Sequence, residues 1–338
     1  MKVLVIGGTG NISSAIVDRL CEQGHETTVF NRGLRPVRYK GKVNAIYGDK
    51  NSAEDFFSKM KGLEFDAVID MISYYPDNAN LTLEAFKYND PHFIFTSTVA
   101  AYKRPFAPGN VPVVETNPLC DKEDVFPYGY HKARMEDFLW KKSAEGIKIT
   151  VIRPSLTYGI GCKNIGVFRN NYGIVERIKQ KKPLIMFGDG TNPWAWTFAP
   201  DIAKAYAGAL RREACYGQAY HATSDDVRPW DDLYIEFGKI IGIEPKILHM
   251  STEMISFAAP EQILHVFQEK MHAGIFDNSK IKRDIPEFKF EYTLDKIIKD
   301  IYEWYLSDPQ ARVTDDNIDR LEDELVYKYY KCEKILKE

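Results

Sequence analysis

Residues 2–17 read KVLVIGGTGNISSAIV, and this stretch decides the fold. The apolar run Val3–Ile6 has the length and composition of a buried strand. Gly7 permits a tight turn after it, and Gly10 leaves the backbone open to the close approach of a pyrophosphate. Ser13 stands where a third glycine is usual, and it is small enough for contact between helix and strand. The pattern predicts a strand, a phosphate-binding turn and a helix in succession.

The helix after this turn supplies the means of binding phosphate. Backbone N–H groups from Asn11 and Ile12 onward, with the positive end of the helix dipole, attract anionic phosphates. The candidate cofactor-binding residues of the turn are Gly7, Gly10, Asn11 and Ile12. The alternative is a glycine-rich turn with a structural role only. Because the turn opens the first strand–helix–strand unit of the chain, we expect it to bind a dinucleotide.

The first 160 residues alternate short apolar runs with helical patterns. The runs are rich in Val, Ile and Phe and nearly continuous, as in strands buried on both faces of a parallel sheet. This alternation predicts an α/β domain with a Rossmann-like, doubly wound parallel sheet. The predicted strands are Val3–Ile6, Thr27–Phe30, Val43–Tyr47, Ala67–Ile69, Phe93–Thr96 and Ile149–Ile152.

After Gly159 the pattern changes to loops, aromatic residues and short helices. Besides the dinucleotide-binding domain of residues 1–160, it predicts a smaller, partly discontinuous C-terminal substrate domain. That domain takes in residues 161–194 and 216–338, while residues 195–215 return to the first domain. The last 25 residues are highly charged, with apolar residues at helical spacing. They predict a terminal helix that docks on its own domain, with a dimer contact as the alternative.

Composition and charge exclude several classes of protein. The 338 residues include 45 Lys and Arg against 48 Asp and Glu, a net charge of −3 at pH 7. Nucleic-acid or membrane-surface binding would need a basic excess, and no apolar run reaches the ~18 residues of a membrane span. The five cysteines are scattered without a CxxC pair, and no His cluster has metal spacing. We therefore expect a cytoplasmic protein without a metal, membrane or nucleic-acid partner.

The end of the second strand bears on which nicotinamide cofactor binds. An acidic residue there would accept from the ribose 2′-hydroxyl of NAD(H), but this chain has Asn31 and Arg32. A guanidinium pairs with a 2′-phosphate, so Arg32 favours NADP(H). NAD(H) is the alternative if Arg32 is only a solvated loop residue. Asp49, after the third strand, either accepts from the adenine amino group or forms a strand-end turn.

A second motif, Tyr-x-x-x-Lys at residues 128–132, predicts a proton-transfer group. Tyr128 and Lys132 are spaced i, i+4, which places them on one helical face, and Pro127 suits the helix start. A phenol with a pKa of about 10 is a poor base at neutral pH. An ammonium at about 4 Å lowers that pKa by roughly 3 at an effective dielectric of 20. Tyr128 is thus the candidate proton-transfer group. Thr98, after the fifth strand, is the candidate that orients a substrate oxygen, with Ser97 as the alternative.

Together these segments resemble the extended short-chain dehydrogenase/reductase family, the NAD(P)-dependent sugar epimerases and dehydratases. The resemblance implies that Tyr128 is the catalytic base, Lys132 its activator and a cofactor-ribose contact, and Thr98 the substrate-orienting hydroxyl. It also implies a homodimer formed through helices near residues 80 and 130. The matching stretches are GGTGNI (7–12), GD (48–49), FTSTVAAY (95–102), PYGYHK (127–132), IRPSLTYG (152–159), FGDG (187–190), DIA (201–203) and FDNSK (276–280).

Departures from the family's pattern bear on the substrate. Nucleotide-sugar epimerases carry an Asn where this chain has Leu156, and a diphosphate-binding Arg where it has Trp194. A second Arg of the family has no counterpart between Met250 and Phe276. Because a buried diphosphate needs charge-assisted donors, these departures favour a sugar-like substrate other than a typical nucleotide sugar.

Several side chains remain candidates for contact with such a substrate. Aromatic residues could stack on a sugar ring or instead belong to the core of the small domain. Lys163, together with Arg169 and Arg177, supplies charge that would restore phosphate binding. The candidate substrate contacts are Ser73, Tyr74, Tyr102, Lys163 and Trp194.

Two kinds of function compete. The first is an NAD(P)-dependent epimerase or oxidoreductase that transfers hydride at a secondary hydroxyl or ketone of a sugar-like substrate. A nucleotide-sugar 4-epimerase with atypical phosphate contacts is a variant of it, whereas Val99–Ala100 replaces the Asp-Glu pair of the family's dehydratases. The second is a non-catalytic cofactor-binding or RNA-binding protein on the same fold. The intact Thr98, Tyr128 and Lys132 favour the enzyme.

Overall fold

The computed structural model describes residues 1–107 and 109–338. The strands are β1 (Lys2–Ile6), β2 (Glu26–Asn31), β3 (Asn44–Tyr47), β4 (Ala67–Asp70), β5 (His92–Thr96), β6 (Ile149–Pro154), β7 (Thr157–Tyr158), β8 (Pro183–Phe187), β9 (Pro193–Ala195), β10 (Thr197–Phe198), β11 (Gln218–Ala222), β12 (Val227–Pro229) and β13 (Lys246–Met250). The helices are α1 (Asn11–Glu22), α2 (Ala53–Met60), α3 (Pro76–Ala85), α4 (Pro127–Ala144), α5 (Tyr172–Lys179), α6 (Ala199–Ala209), α7 (Asp231–Ile241), α8 (Thr252–Ala258), α9 (Pro260–His265), α10 (Ser279–Asp284), α11 (Leu294–Ser307) and α12 (Asp316–Lys337).

A seven-stranded sheet in the order β11-β6-β5-β4-β1-β2-β3 forms the centre of the molecule. All its neighbouring strands are parallel. The six predicted strands are present, and the predicted Rossmann-like α/β fold is confirmed. The strand order reverses beside β1, so the carboxyl ends of β1 and β4 border the crevice where ligands bind in such sheets.

Helices cover both faces of this sheet because its central strands are apolar on both sides. Val5 of β1 packs with Ile16 of α1 and Ile202 of α6 on one face. Ile6 points to the opposite face and packs in the cluster that holds Met135 of α4. Successive residues of a strand alternate between faces, so one apolar run serves two cores.

The boundary of the second domain differs from the prediction. Residues 216–338 were expected to lie wholly in the substrate domain, but β11 pairs in parallel with β6 in the central sheet. Ile281 of α10 is also buried in the core between that sheet and α1. The prediction is wrong at these two elements because β11 reads QAYHA, which lacks the continuous apolar pattern of the other strands.

The remaining residues build a second core from β8, β13 and the helices α5, α7 and α11. Trp196 and Trp230 meet in it with ring centroids 4.9 Å apart. The predicted terminal helix is α12, and its first half docks on this core. Arg177 of α5 holds it there through ion pairs to Asp319 at 2.7 Å and Asp323 at 2.9 Å.

None of the helices in the two described ranges is both long and apolar enough to span a membrane.

Candidate active site

The glycine turn after β1 has the geometry that phosphate binding requires. Gly7 has φ +91°, and a Cβ there would collide with the side chain of Ile72. Gly10 donates its N–H to Ser13 Oγ at 2.8 Å, directly before α1. A Cβ on Gly10 would meet only that hydroxyl among the described residues, so the turn is otherwise open. The backbone conformation thus requires glycine at position 7, whereas the absence of a side chain at Gly10 leaves open space beside the turn.

Two asparagines beside this turn carry buried polar atoms without partners among the described residues. Asn11 donates to the carbonyl of Thr157 at 2.9 Å, but its Oδ1 has no partner. Asn31 accepts from the N–H of Gly33 at 2.7 Å, but its Nδ2 has none. Because buried polar atoms are normally hydrogen-bonded, these two fit a polar group such as a dinucleotide between the turn and β2.

Arg32, predicted to select the cofactor, and Asp49, predicted to contact adenine, follow the strands β2 and β3. Arg32 is exposed directly after β2. Asp49 is half-buried after β3, where its carboxylate accepts from the N–H of Asn51 at 3.0 Å. The contact with a 2′-phosphate and the contact with adenine both stay predictions.

The predicted Tyr-Lys motif begins α4, with Pro127 at the helix start as expected. Lys132 is buried and donates from Nζ to the carbonyls of Ser73 at 2.7 Å and Thr96 at 2.9 Å. Burial lowers the pKa of Lys132 to about 8, against the opposing charges of Asp70 and Glu136. The ammonium is therefore fixed against the carboxyl ends of β4 and β5.

The acidity of Tyr128 differs from the expectation. Its pKa is raised to about 12, first by burial of the phenol and then by the charge of Glu269. The nearby hydroxyl of Thr98 lowers this pKa, so the two predicted hydroxyls lie close together. This direction is opposite to the one expected from Lys132, whose ammonium is engaged by the backbone carbonyls of Ser73 and Thr96.

A buried ion pair behind Lys132 was not foreseen from the sequence. Lys50 and Asp70 are in direct contact, with side chains 3% and 0% exposed. Ser73 donates from Oγ to Asp70 at 2.7 Å and receives a hydrogen bond from Lys50 at 2.6 Å. Thr82 also donates to Asp70, at 2.6 Å. The one hint in the sequence was Lys50, directly after the Gly48-Asp49 stretch. The local pattern did not indicate that Asp70 would be its partner.

This network corrects the prediction for Ser73. Its hydroxyl was a candidate substrate contact, but the side chain is buried and its oxygen is engaged by Asp70 and Lys50. Its neighbour Tyr74 does lie at the site. The rings of Tyr74 and Tyr128 stack with centroids 5.7 Å apart, and Lys132 Nζ lies 6.0 Å from the Tyr74 ring centre.

Two other predicted substrate contacts are in the protein interior. Trp194 is 0% exposed and packs on Trp230, so it offers no face for a sugar ring. Tyr102 is 1% exposed, and its hydroxyl is bound by His221 at 2.5 Å and Arg153 at 2.7 Å. Both belong to the core alternative that the sequence left open. Lys163 is exposed in the loop after β7.

Charged residues on the opposite side of Tyr128 were also missed. Arg104 lies in the loop after β5, and Glu269 and Lys270 end the π-helical turn Val266–Lys270. Glu269 lies 3.9 Å from each of the two cations. We call Arg104, Glu269 and Lys270 the cleft charge cluster. The two segments are 165 residues apart in sequence, so no local pattern connects them.

Comparison with known proteins shows the family of the chain. Residues 3–221 match the model of the NAD dependent epimerase/dehydratase family. The chain belongs to that family, and it is an enzyme of the extended short-chain dehydrogenase/reductase type.

Individual relatives are distant. The 2'-dehydrokanamycin reductase of Streptomyces kanamyceticus is 26% identical over 239 residues, covering 69% of this chain and 65% of that protein. The chloroplast stem-loop binding protein of 41 kDa b of Arabidopsis thaliana is 24% identical over 275 residues, covering 76% and 68%. The chain thus spans about two thirds of the length of these relatives. The structure of a UDP-glucose 4-epimerase from Thermotoga maritima is 20% identical, covers 91% of this chain and 99% of its own, and superposes with a TM-score of 0.70. It shares the fold.

Proposed function

We propose that the protein transfers hydride between a nicotinamide cofactor and a secondary hydroxyl or ketone of a sugar-like substrate. The observation that carries this is the meeting of Tyr128, Thr98 and Lys132 beside the crevice of the central sheet. The net reaction is either inversion of a stereocentre through a ketone or a simple oxidation or reduction. A bound nicotinamide would supply the hydride acceptor or donor.

In this proposal the side chains divide the work of proton transfer and orientation. Tyr128 exchanges the proton of the substrate oxygen, and Thr98 holds that oxygen in place. Lys132 fixes the ribose of the cofactor. With a pKa of about 12, the phenol of Tyr128 is neutral at physiological pH and able to donate a proton to a ketone oxygen.

The cofactor is proposed to be NADP(H) rather than NAD(H). The chain offers Arg32, exposed after β2, where a carboxylate would repel a 2′-phosphate. The dinucleotide would be held by Gly7 and Gly10 at the turn and by the unpaired atoms of Asn11 and Asn31. The enzyme is further proposed to be a cytoplasmic homodimer that uses the faces of α3 and α4.

The proposal is tested by mixing the protein with NADP(H) or NAD(H) and a panel of sugars, polyols, sugar acids, ketones and nucleotide sugars. Nicotinamide absorbance reports net oxidation or reduction, and proton NMR of the recovered sugar reports inversion. We expect turnover in one of these readouts. Cofactor binding without turnover of any alcohol, ketone or sugar would contradict the proposal.

RNA binding is the second candidate because of one relative, the stem-loop binding protein of Arabidopsis. The net charge of −3 disfavours it, since RNA affinity rests largely on phosphate contacts. A labelled RNA stem-loop titrated at two salt concentrations separates the candidates. Tight, salt-sensitive binding by a protein that lacks turnover would favour this second function.

A further inference from the structure

We propose that the cleft charge cluster binds an acidic group of the substrate, a carboxylate or a phosphate, next to the reacting carbon. This inference rests on the proposed function and names the class of substrate: a sugar-like molecule that carries an oxyanion. The sequence-based expectation was that the family's second Arg has no counterpart between Met250 and Phe276, and Lys270 lies within that stretch.

Lys270 is the first observation. Its side chain is 7% exposed, and its ammonium pairs with a carboxylate only at the outer limit of an ion pair. The nearest carboxylate oxygen, on Glu269, lies 3.9 Å away. A largely buried ammonium is costly unless a close counter-charge compensates it, and Glu269 at this distance does so only weakly. An incoming oxyanion would supply a closer acceptor.

Arg104 is the second observation. Its side chain is 4% exposed, and its terminal nitrogens donate to the carbonyls of Val99 and Tyr102, each at 3.0 Å. These bonds fix the guanidinium in one orientation. Its Nε is buried and has no partner among the described residues. Backbone carbonyls thus hold the Arg104 guanidinium in place, while its Nε–H remains unpaired. This arrangement suits recognition of an oxyanion.

The position of Arg104 places the cluster beside the reacting hydroxyls. Arg104 also reaches the carbonyl of Ala100 at 3.4 Å. The same carbonyl lies so close to Gly129 that a Cβ there would collide with it. Gly129 directly follows Tyr128, and Ala100 donates its N–H to Thr98 Oγ1 at 3.1 Å. One backbone segment therefore connects the guanidinium to both groups that are proposed to handle the substrate oxygen.

The π-helical turn that carries Lys270 is anchored by hydrogen bonds to two segments distant in sequence. Gln268 donates to the carbonyl of Val125, just before α4, at 2.8 Å. Asn192 donates to the carbonyl of Lys270, also at 2.8 Å. Isolated π turns are energetically unfavourable and occur frequently at functional sites. Here the turn places Glu269 and Lys270 side by side, both buried.

The charge balance of the cluster favours an anion over a neutral sugar hydroxyl. Arg104 and Lys270 carry two positive charges against the single carboxylate of Glu269. Arg169 adds to the positive charge: burial first, and then the charges of Arg169 and Arg104, lower the pKa of Lys270 to about 8 against the charge of Glu269. Glu269 alone leaves the cluster positive, so an oxyanion is the complement that neutralises it.

The test measures binding by the NADP-loaded Tyr128→Phe protein, in which proton transfer is blocked. Calorimetric titrations use matched probes: glucose, glucuronate, glucose 6-phosphate and UDP-glucose. We expect glucuronate or glucose 6-phosphate to bind at least about tenfold more tightly than glucose, as for one desolvated charge-assisted contact. Lys270→Gln removes this preference and Lys270→Arg retains it. Lys246→Gln, at an exposed lysine of β13, is the control and leaves the preference intact.

The outcomes separate the sources of the anion and the two proposals. A preference for glucuronate identifies the anion as a carboxylate, and a preference for glucose 6-phosphate identifies it as a monophosphate. A preference for UDP-glucose alone identifies a remote diphosphate, and this result overturns the placement of the anion beside the reacting carbon. Equal affinity for glucose and both anionic sugars, or an anion preference unchanged in Lys270→Gln, overturns the subsite. Turnover by the wild-type protein without anion selectivity defeats only this inference, whereas anion selectivity without any turnover defeats only the proposed function.

Discussion

The ammonium of Lys132 donates to the backbone carbonyl of Ser73 at 2.7 Å, and this bond connects the cofactor side of the site to a buried ion pair. The hydroxyl of the same serine donates to Asp70, which contacts Lys50. The carbonyl that holds Lys132 is therefore positioned by charges with no access to solvent. Lys50 and Asp70 act through Ser73, as positioning residues.

Loss of one partner of this pair is expected to destabilise the fold. Lys50→Met leaves the carboxylate of Asp70 buried without its counter-charge, at a cost of about 3–5 kcal/mol in the free energy of unfolding. Lys50→Met combined with Asp70→Asn removes the charge and is expected to recover part of that loss. Urea unfolding of both variants measures the difference. Equal losses in the single and double variants would show that the ion pair is not the cause.

Tyr128→Phe is expected to lower kcat by about 10²- to 10⁴-fold, the usual contribution of a positioned proton-transfer group. Cofactor affinity should be retained, because the phenol is not proposed to bind the nucleotide. Turnover on the best substrate of the panel and quenching of intrinsic fluorescence by the cofactor measure the two quantities. Tyr130→Phe, two residues further along α4, is the matched control. Undiminished turnover in Tyr128→Phe would remove this residue from its proposed role.

Arg32→Ala is expected to weaken NADP(H) binding and leave NAD(H) binding unchanged. A charge-assisted hydrogen bond contributes about 1.5–3 kcal/mol, so the preference should fall by roughly tenfold or more. Titration of each cofactor gives the ratio of dissociation constants. Arg320→Ala, at an exposed arginine of α12, controls for the loss of one positive charge. A ratio that Arg32→Ala does not alter would leave the 2′-phosphate assignment without support.

His92 is expected to contribute to acid sensitivity. It is 0% exposed, receives the N–H of Arg211 on Nδ1 at 3.1 Å and bonds Thr150 at 2.8 Å. Burial first, and then the charges of Arg211 and Lys148, lower its pKa to about 3. The unfolded chain takes up this proton near pH 6.5, so the contribution is complete above that pH and is lost as the pH falls toward 3.

The His92 contribution is measured as a slope. Over that range it adds about 1.4 kcal/mol of unfolding free energy per pH unit, which His92→Gln should remove. Urea unfolding of both proteins at several pH values between about 4 and 6 gives the two slopes, and other titrating groups cancel in the comparison. Identical slopes would mean that His92 takes up its proton in the folded protein.

Features that depend on local periodicity were predictable from the sequence. The run Val3–Ile6 and the glycines after it gave the strand and turn, because strand burial and positive φ place direct demands on residue type. The i, i+4 spacing of Tyr128 and Lys132 placed both on α4, because helix geometry alone fixes that relation. The family resemblance followed from the order of such local stretches.

The acidity of Tyr128 was not predictable in this way. The spacing to Lys132 suggested a lowered pKa, but the pKa depends on how much water the fold removes from the phenol and on which groups the ammonium contacts instead. Trp194 was ambiguous for a similar reason. An aromatic residue in a loop looks the same in sequence whether it lines a cleft or fills a core, and only its packing on Trp230 decides.

By itself, then, the sequence determined the Rossmann-like sheet, the phosphate-binding turn and the Tyr128–Lys132 helix face. Tertiary structure alone decided that Lys50 meets Asp70 and that Arg104 and Lys270 flank Glu269 in the cleft. The physical reason is distance along the chain. Within one helix or strand the backbone geometry sets which side chains are neighbours, whereas side chains on distant segments become neighbours only through the packing of whole elements.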